Sequence, residues 1–178
     1  ILPRSGRSIE NEVFFVEVGT DGTITSIRDR KTNRELVNAK GELPFNELLR
    51  VEGTDASIVT YPVKATITTR AGAQMAEIEI ERQRSAFPRT VITIYRDLGR
   101  VDLHNELDPT KFPFVGGNGN WNDSYYFAFP FNVSPNGLKI LRGGQKWFDR
   151  LPDDYMEGAR RDSVTTQHSI GLTDGKQT

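Results

Sequence analysis

The chain is 178 residues long, with 36% hydrophobic residues, 26% charged residues and a formal net charge of -1. This composition is typical of a globular protein with one good core, and it excludes a disordered polypeptide. The balanced charge gives no reason to expect nucleic acid or an anionic membrane as a partner, and no apolar run reaches the roughly 20 residues that span a bilayer. The lack of cysteine excludes disulfides, cysteine metal ligands and a cysteine nucleophile.

Both ends of the sequence indicate a piece of a longer polypeptide. It opens with ILPRSGRSIENEVFF, which has neither an initiator methionine nor a signal segment, and it closes on LTDGKQT directly after an expected strand and turn. We therefore expect residues 1–178 to be a single, partial domain excised from a longer chain. The sequence does not fix its location, although the lack of cysteine favours a bacterial parent that is periplasmic, secreted or cytoplasmic.

Strand patterns dominate from the first third of the chain. EVFFVEV (12–18) and TITSIRD (23–29) are joined by the turn residues GTDG, and together they predict a hairpin. The following segment, NAKGELPFNELLRVEG, predicts at most one helical turn, around residues 46–50, because Pro44 interrupts it.

Two later segments alternate as half-buried strands do. In VKATITTR (63–70) and MAEIEIERQR (75–84), every second residue is apolar over at least three positions. The polar face of the second segment carries Glu77, Glu79 and Glu81. Paired carboxylates can serve acid–base catalysis, but strand alternation favours the interpretation that this face is simply solvated.

The next pair of segments predicts a central strand and its neighbour. RTVITIYRD (89–97) is apolar on both faces, which is typical of a strand inside a sheet. VDLHNELD follows after a short turn, and its spacing predicts that Val101, Leu103 and Leu107 face the core. His104 falls on the polar side, where we expect a surface histidine rather than a base.

No complete catalytic or metal motif is present. His104 and His168 are far apart, neither has a second histidine at ligand spacing, and the sequence contains no GxSxG and no phosphate-binding glycine motif. We therefore expect no catalytic residue, no metal ligand and no cofactor within this chain.

The segment SYYFAFPFNVSPNGLKI contains five aromatic residues within seven positions. Strand alternation places four of them on one face, which predicts a wall of the core rather than a ligand platform. These four are Tyr125, Phe127, Phe129 and Phe131. Pro130 cannot donate to a strand ladder, so it predicts an edge, a bulge or the end of the strand.

The long loop PTKFPFVGGNGNWNDS (109–124) and the segment around Trp147 have the chemistry of a sugar site. Tryptophan faces pack against the C–H surface of a sugar, and planar amides and carboxylates bind its hydroxyls in pairs. The candidate carbohydrate-binding residues are Trp121, Asn122, Asp123, Trp147 and Asp149. The alternative is a loop that packs on its own domain, with asparagine and glycine serving backbone angles.

Short strands joined by glycine, proline and asparagine turns, without a helical apolar stripe, predict an all-β protein built as an antiparallel β-sandwich. The strands carry a family resemblance. Residues 9–38 resemble the opening of the C-terminal β-domain of glycoside hydrolase family 38, the α-mannosidases. The matching residues are Asn11, Glu12, Asp21, Gly22, Ile24, Ser26, Ile27, Asp29, Thr32, Arg34, Glu35 and Leu36.

Later segments are similar to the same family in the same order. They are IYRDLGRVDLHNELD, SYYFAFPFNV and LPDDYMEGARRDSVTTQHSIGLTDG. Ser163 stands where the family commonly has tryptophan, which puts any contact of that tryptophan in doubt and indicates a divergent branch.

The resemblance implies a sandwich of the galactose mutarotase-like (supersandwich) type, truncated at its C-terminus because the family domain continues past such an Asp-Gly turn. Family members are zinc-dependent retaining α-mannosidases whose zinc ion, nucleophile and acid/base belong to an N-terminal barrel, which this chain lacks. The resemblance therefore implies a non-catalytic β-domain that supports the barrel and the rim of the sugar cleft, with mannose-containing glycans as candidate ligands. Two alternatives remain open: an independent carbohydrate-binding module and a protein-interaction sandwich.

Overall fold

The structure is a computed structural model that describes residues 2–52, 57–59, 64–83, 85–111, 124–143, 148–151, 153–154, 158 and 169–174. These residues form fifteen β-strands, a single turn of 3-10 helix and no α-helix. The described part of the chain accordingly contains no helix with the length and apolar character that crossing a membrane requires.

The strands are β1 (Leu2–Ser5), β2 (Ser8–Glu10), β3 (Phe14–Val18), β4 (Ile24–Asp29), β5 (Arg34–Glu35), β6 (Glu47–Glu52), β7 (Ser57–Val59), β8 (Ala65–Ala71), β9 (Met75–Arg82), β10 (Arg89–Tyr95), β11 (Val101–Glu106), β12 (Ser124–Ala128), β13 (Lys139–Gly143), β14 (Phe148–Leu151) and β15 (Ile170–Thr173), and the 3-10 turn is Pro109–Lys111. All strand pairs in the described ranges are antiparallel. The all-β, antiparallel fold class is therefore confirmed.

The strands belong to two compact units. The unit Ile1–Phe131 contains a first sheet of order β1-β2-β3-β4-β5, a second sheet of order β11-β10-β9-β8 and a third sheet of order β12-β6-β7. The unit Asn132–Thr178 contains a sheet of order β14-β13-β15. The expectation of one domain over residues 1–178 stays a prediction.

The predicted first hairpin is confirmed as β3 and β4. Its turn is closed by the carboxylate of Asp21, which accepts a hydrogen bond from the amide of Thr23 at 3.0 Å, and by the Gly19 amide, which donates to the Thr23 carbonyl at 2.8 Å. Gly22 has a φ of 82°, a left-handed value that glycine adopts without steric cost. Residues 19–22 (GTDG) thus form an Asx turn in which Gly22 is left-handed.

The first and second sheets pack face to face in a sandwich-like arrangement and share one hydrophobic core. Their strands alternate apolar and polar residues, so each sheet presents one apolar face to the other. The buried members of this core are Ile9, Val16, Val18, Ile24, Ile27, Val37, Phe45, Ala76, Ile78, Ile80, Ile92 and Ile94. Burying one such aliphatic side chain stabilises the fold by about 1.5–3 kcal/mol, so this interface holds the two sheets together.

Two hydrogen bonds fasten the first hairpin to the second sheet. The side-chain amide of Asn11, just before β3, donates to the carbonyl of Tyr95 at 2.6 Å. The guanidinium of Arg82, at the end of β9, donates to the carbonyl of Gly22 at 3.3 Å. Both acceptors are backbone carbonyls: Gly22 lies in the hairpin turn, and Tyr95 is the last residue of β10. The two side chains thus tie the backbone of one sheet to that of the other.

The prediction of a helical turn around residues 46–50 is wrong, because β6 begins at Glu47. Asn46 has a φ of 59°, which redirects the chain into the strand. Leu48 and Leu49 are both buried, and β6 pairs with β12 on one side and β7 on the other. Two neighbouring ladders override the weak local preference for a helix.

Near the C-terminal end of β11, the residue that faces inward differs from the prediction. Val101 and Leu103 pack against the core as expected. Leu107 is 45% exposed, because the strand ends one residue before it. The inward position is taken by Asn105, whose side-chain amide exchanges two hydrogen bonds with that of the buried Asn46, at 3.0 and 2.7 Å.

The predicted aromatic wall is wrong in its second half. The strand β12 ends at Ala128, and Pro130 lies just beyond it, where a missing N–H is tolerated. Phe129 and Phe131 are therefore outside the strand, and they are 44% and 40% exposed. Both still pack edge-on against Phe45, with ring centroids 5.4 and 5.1 Å away.

Gly22→Ala is expected to lower the free energy of unfolding by about 2–4 kcal/mol, which combines left-handed strain with overpacking. A Cβ at this position would lie 2.6 Å from Cγ2 of Ile80 and 3.0 Å from Cβ of Ala65. Urea denaturation followed by tryptophan fluorescence measures the change.

The matched control is Gly6→Ala, since a Cβ on Gly6 meets nothing within 4 Å. This variant should remain within about 0.5 kcal/mol of the parent chain. A Gly22→Ala variant as stable as the control would contradict the close approach of the hairpin to the second sheet.

Candidate functional site

The candidate sugar-binding residues lie almost entirely outside the described residues. This holds for Trp121, Asn122, Asp123 and Trp147. The backbone of Asp149 lies in β14 opposite Arg142 of β13, but the structure does not describe its side chain. The structure therefore says nothing of how these five side chains lie relative to one another, and their role in sugar binding stays a prediction.

The glutamate face predicted for β9 is confirmed as the outer face of the second sheet, but it is solvated only in part: Glu81 is exposed, whereas the side chain of Glu79 is only 12% exposed. The carboxylate of Glu79 binds Arg89 at 2.6 Å and Arg70 at 2.8 Å, and Arg89 also binds Glu106. The hydrogen bond from Arg89 is the largest cause that lowers the pKa of Glu79. A carboxylate held ionised between two guanidinium groups suits a surface ion-pair network better than a general acid.

His104 belongs to the same outer face, as expected. Its side chain is 72% exposed, and its Nε2 atom lies 3.9 Å from the carboxylate of Glu106. Across the described ranges, no group of three or more histidine, aspartate or glutamate side chains could hold a metal ion. The zinc expectation concerns the barrel of the parent protein, and it stays a prediction.

The end of β9 carries a buried cation. Arg82 is 8% exposed, donates to the hydroxyl of Thr90 at 2.9 Å and lies over the ring of Phe87, 4.3 Å from its centre. Burial lowers the pKa of this guanidinium, while the charges of Glu47 and Asp21 oppose that effect. Burial likewise raises the pKa of Glu47, against the attraction of Arg82. This pair of opposite charges links β6 to β9 electrostatically.

Glu47→Gln is expected to change how stability depends on pH. Because the folded pKa of Glu47 is raised, its contribution to stability is present below the ordinary value of 4.5 and is lost as the pH rises through the folded pKa. The free energy of unfolding of the variant minus that of the parent chain should therefore be more positive at pH 7 than at pH 4. Urea unfolding of both proteins at the two pH values measures this difference. Glu42→Gln, which removes an exposed carboxylate, is the control for net charge. Identical pH profiles for Glu47→Gln and the parent chain would contradict this expectation.

A concavity of about 290 Å³ lies on the outer face of the first sheet, on the side away from the core. Strand register explains its composition, because Phe15 of β3 stands opposite Glu10 of β2 and opposite Arg28 of β4. The lining residues are Glu10, Phe15, Glu17, Arg28, Arg30 and Asn33. We call this feature the outer-face groove.

Several contacts hold the long side chains of the outer-face groove in place. Arg30 donates to the carbonyl of Asn11 at 2.6 Å, and its Nε atom lies 3.9 Å from the carboxylate of Glu10. The guanidinium of Arg28 lies 5.7 Å from the ring centre of Phe15, within the range of a cation–π contact. The groove is thus lined by an aromatic ring between acidic and basic groups that are already partly oriented.

Sequence reasoning missed the outer-face groove, although one signal for it was available. Alternation in EVFFVEV places Phe15 and Glu17 on the polar face of the hairpin, and an aromatic residue there calls for an explanation. The rest of the groove depends on which residue of β4 lies opposite Phe15, and register is set by the turn and by the core together.

The chain matches no protein-family model and no curated protein. The family resemblance of the sequence therefore stays a prediction.

Proposed function

We propose that the chain is the early part of the non-catalytic C-terminal β-domain of an α-mannosidase-like glycoside hydrolase. In this proposal the sandwich is of the galactose mutarotase-like type, and it supports the catalytic barrel and the rim of the sugar cleft. The parent enzyme is a zinc-dependent retaining hydrolase, and its barrel carries the zinc ion, the nucleophile and the acid/base. The ordered family-like segments and the all-β sandwich support this proposal.

Glu35, one of the residues of the resemblance, fastens β4 to β5. One carboxylate oxygen accepts hydrogen bonds from the amides of Ile27 and Val37, at 2.9 and 3.0 Å. The other accepts from the hydroxyl of Ser26 at 2.5 Å. One side chain thereby satisfies three donors, which accounts for a glutamate at this position in structural terms.

Two further residues of the resemblance form the turns that flank the hairpin. The side-chain oxygen of Asn11 accepts from the amides of Val13 and Phe14, at 2.8 and 2.6 Å. Asp29 accepts from the amide of Thr32 at 3.0 Å, and this hydrogen bond is the largest cause that lowers the pKa of Asp29. The observation that carries the proposal is this coincidence: the residues shared with the family are those that build and fasten the hairpin of a β-sandwich.

An exposed aromatic surface supports a role in packing against another domain. Phe129 and Phe131 follow β12, are both substantially exposed and both lean on Phe45. Large exposed apolar side chains that lie together favour burial by a partner. In this proposal the partner is the N-terminal barrel of the same polypeptide.

The purified 178-residue chain is expected to release no product from an aryl α-mannoside, with or without added zinc. A retaining mechanism needs two carboxyl groups about 5 Å apart across the glycosidic bond, and the proposal assigns both to the barrel. Release of the aryl chromophore measures the rate, and the intact parent polypeptide is the positive control, expected to hydrolyse the substrate in a zinc-dependent way.

Zinc-dependent hydrolysis by the chain alone would overturn the non-catalytic role. The coding sequence upstream of Ile1 is a second check, since the proposal requires a barrel there with aspartate and histidine zinc ligands. A parent polypeptide with a different upstream domain would overturn the family assignment.

A second candidate function is sugar binding by the sandwich itself. The outer-face groove favours it, because the groove combines an aromatic ring with charged and amide side chains.

A further inference from the structure

We propose that the outer-face groove binds a single neutral pyranoside ring, with Phe15 as the apolar contact and Glu17, Asn33 and Arg28 as the polar contacts. This inference rests on the second candidate function and deepens it by naming the class of ligand, and it holds whether or not the parent protein is a mannosidase. It also places the sugar at residues different from Trp121, Trp147 and their neighbours.

The groove has hydrogen-bonding groups that a ligand can reach. The side chains of Glu17 and Asn33 line the groove and are both exposed to solvent, so their polar atoms are accessible to a ligand. A carboxylate offers two acceptor oxygens and an amide offers a donor and an acceptor, which is the equipment that adjacent hydroxyl groups require.

The charges of the groove favour a neutral ligand. Two carboxylates, Glu10 and Glu17, and two guanidinium groups, Arg28 and Arg30, line the same concavity, so their formal charges cancel. An anion would meet the two carboxylates, and a cation would meet the two guanidinium groups. A polyhydroxylated ligand uses both kinds of group, since its hydroxyls donate to carboxylates and accept from guanidinium groups.

The shape and the aromatic ring favour one sugar ring. Phe15 is only half-buried, and its ring is an apolar surface between polar walls that the ligand would share with the guanidinium of Arg28, 5.7 Å from the ring centre. The C–H face of a pyranose packs on such a ring, whereas a wholly polar ligand would leave it unused. The volume of about 290 Å³ lies just below the usual range for ligand sites, about 300–1,000 Å³, and suits one ring rather than a long oligosaccharide.

The test is a titration of the ¹⁵N-labelled 178-residue chain with methyl α-D-mannopyranoside and methyl β-D-glucopyranoside, followed by amide chemical shifts. Saturable shifts are expected at Phe15, Glu17 and Arg28. Glu17→Gln and Phe15→Leu should each raise Kd by about fivefold, through a weakened hydrogen bond and a lost ring contact respectively. Glu81→Gln, an exposed carboxylate of the second sheet, is the matched control and should leave Kd unchanged.

The inference is overturned if neither glycoside gives saturable shifts, or if Kd is unchanged in both groove variants. Shifts that appear only in residues 109–124 also overturn it and favour the asparagine-rich loop as the sugar site. Tighter binding of inorganic phosphate than of either glycoside overturns the neutral class of ligand. These outcomes are independent of the aryl mannoside assay, so failure of one proposal is distinguishable from failure of the other.

Discussion

The direct packing of the first hairpin turn onto the second sheet is the constraint on which the rest of the sandwich depends. At Gly22 the backbone comes so close to Ile80 and Ala65 that there is no room for a side chain. This contact fixes which face of β3 and β4 meets the core. The opposite face of the same hairpin is thereby directed to solvent, and there Phe15 and Arg28 line the outer-face groove.

Polar anchors determine how the two apolar layers sit on each other. Hydrophobic burial is non-directional, so a face of isoleucine and valine alone would tolerate several arrangements. Arg82 removes this freedom, because its planar guanidinium serves Thr90 and Gly22 at once while it stacks on Phe87. The cost of burying its charge is reduced by these contacts and by the nearby Glu47.

The alternation of apolar and polar residues predicted most of the features that depend on local sequence alone. The hairpin, the two faces of β9 and the inner position of β10 follow from turn residues and a period of two. The predictions failed where a partner strand decides. Residues 47–50, expected to be helical, belong to a strand between two ladders, and Phe129 lies outside a strand that ends at Ala128. The outer-face groove could not be predicted because it is assembled across three strands, and no local pattern specifies which residues lie opposite one another.

The amide pair of Asn46 and Asn105 restricts the register that β11 can adopt in the second sheet. Sliding β11 by a single residue would turn His104 toward the core and Asn105 toward water. The buried amide of Asn46 would then lose both of its hydrogen bonds and face an imidazole, a far greater penalty than an apolar mismatch. The pair thus selects the register of β11, because the register shifted by one residue leaves the buried amide of Asn46 without its partner.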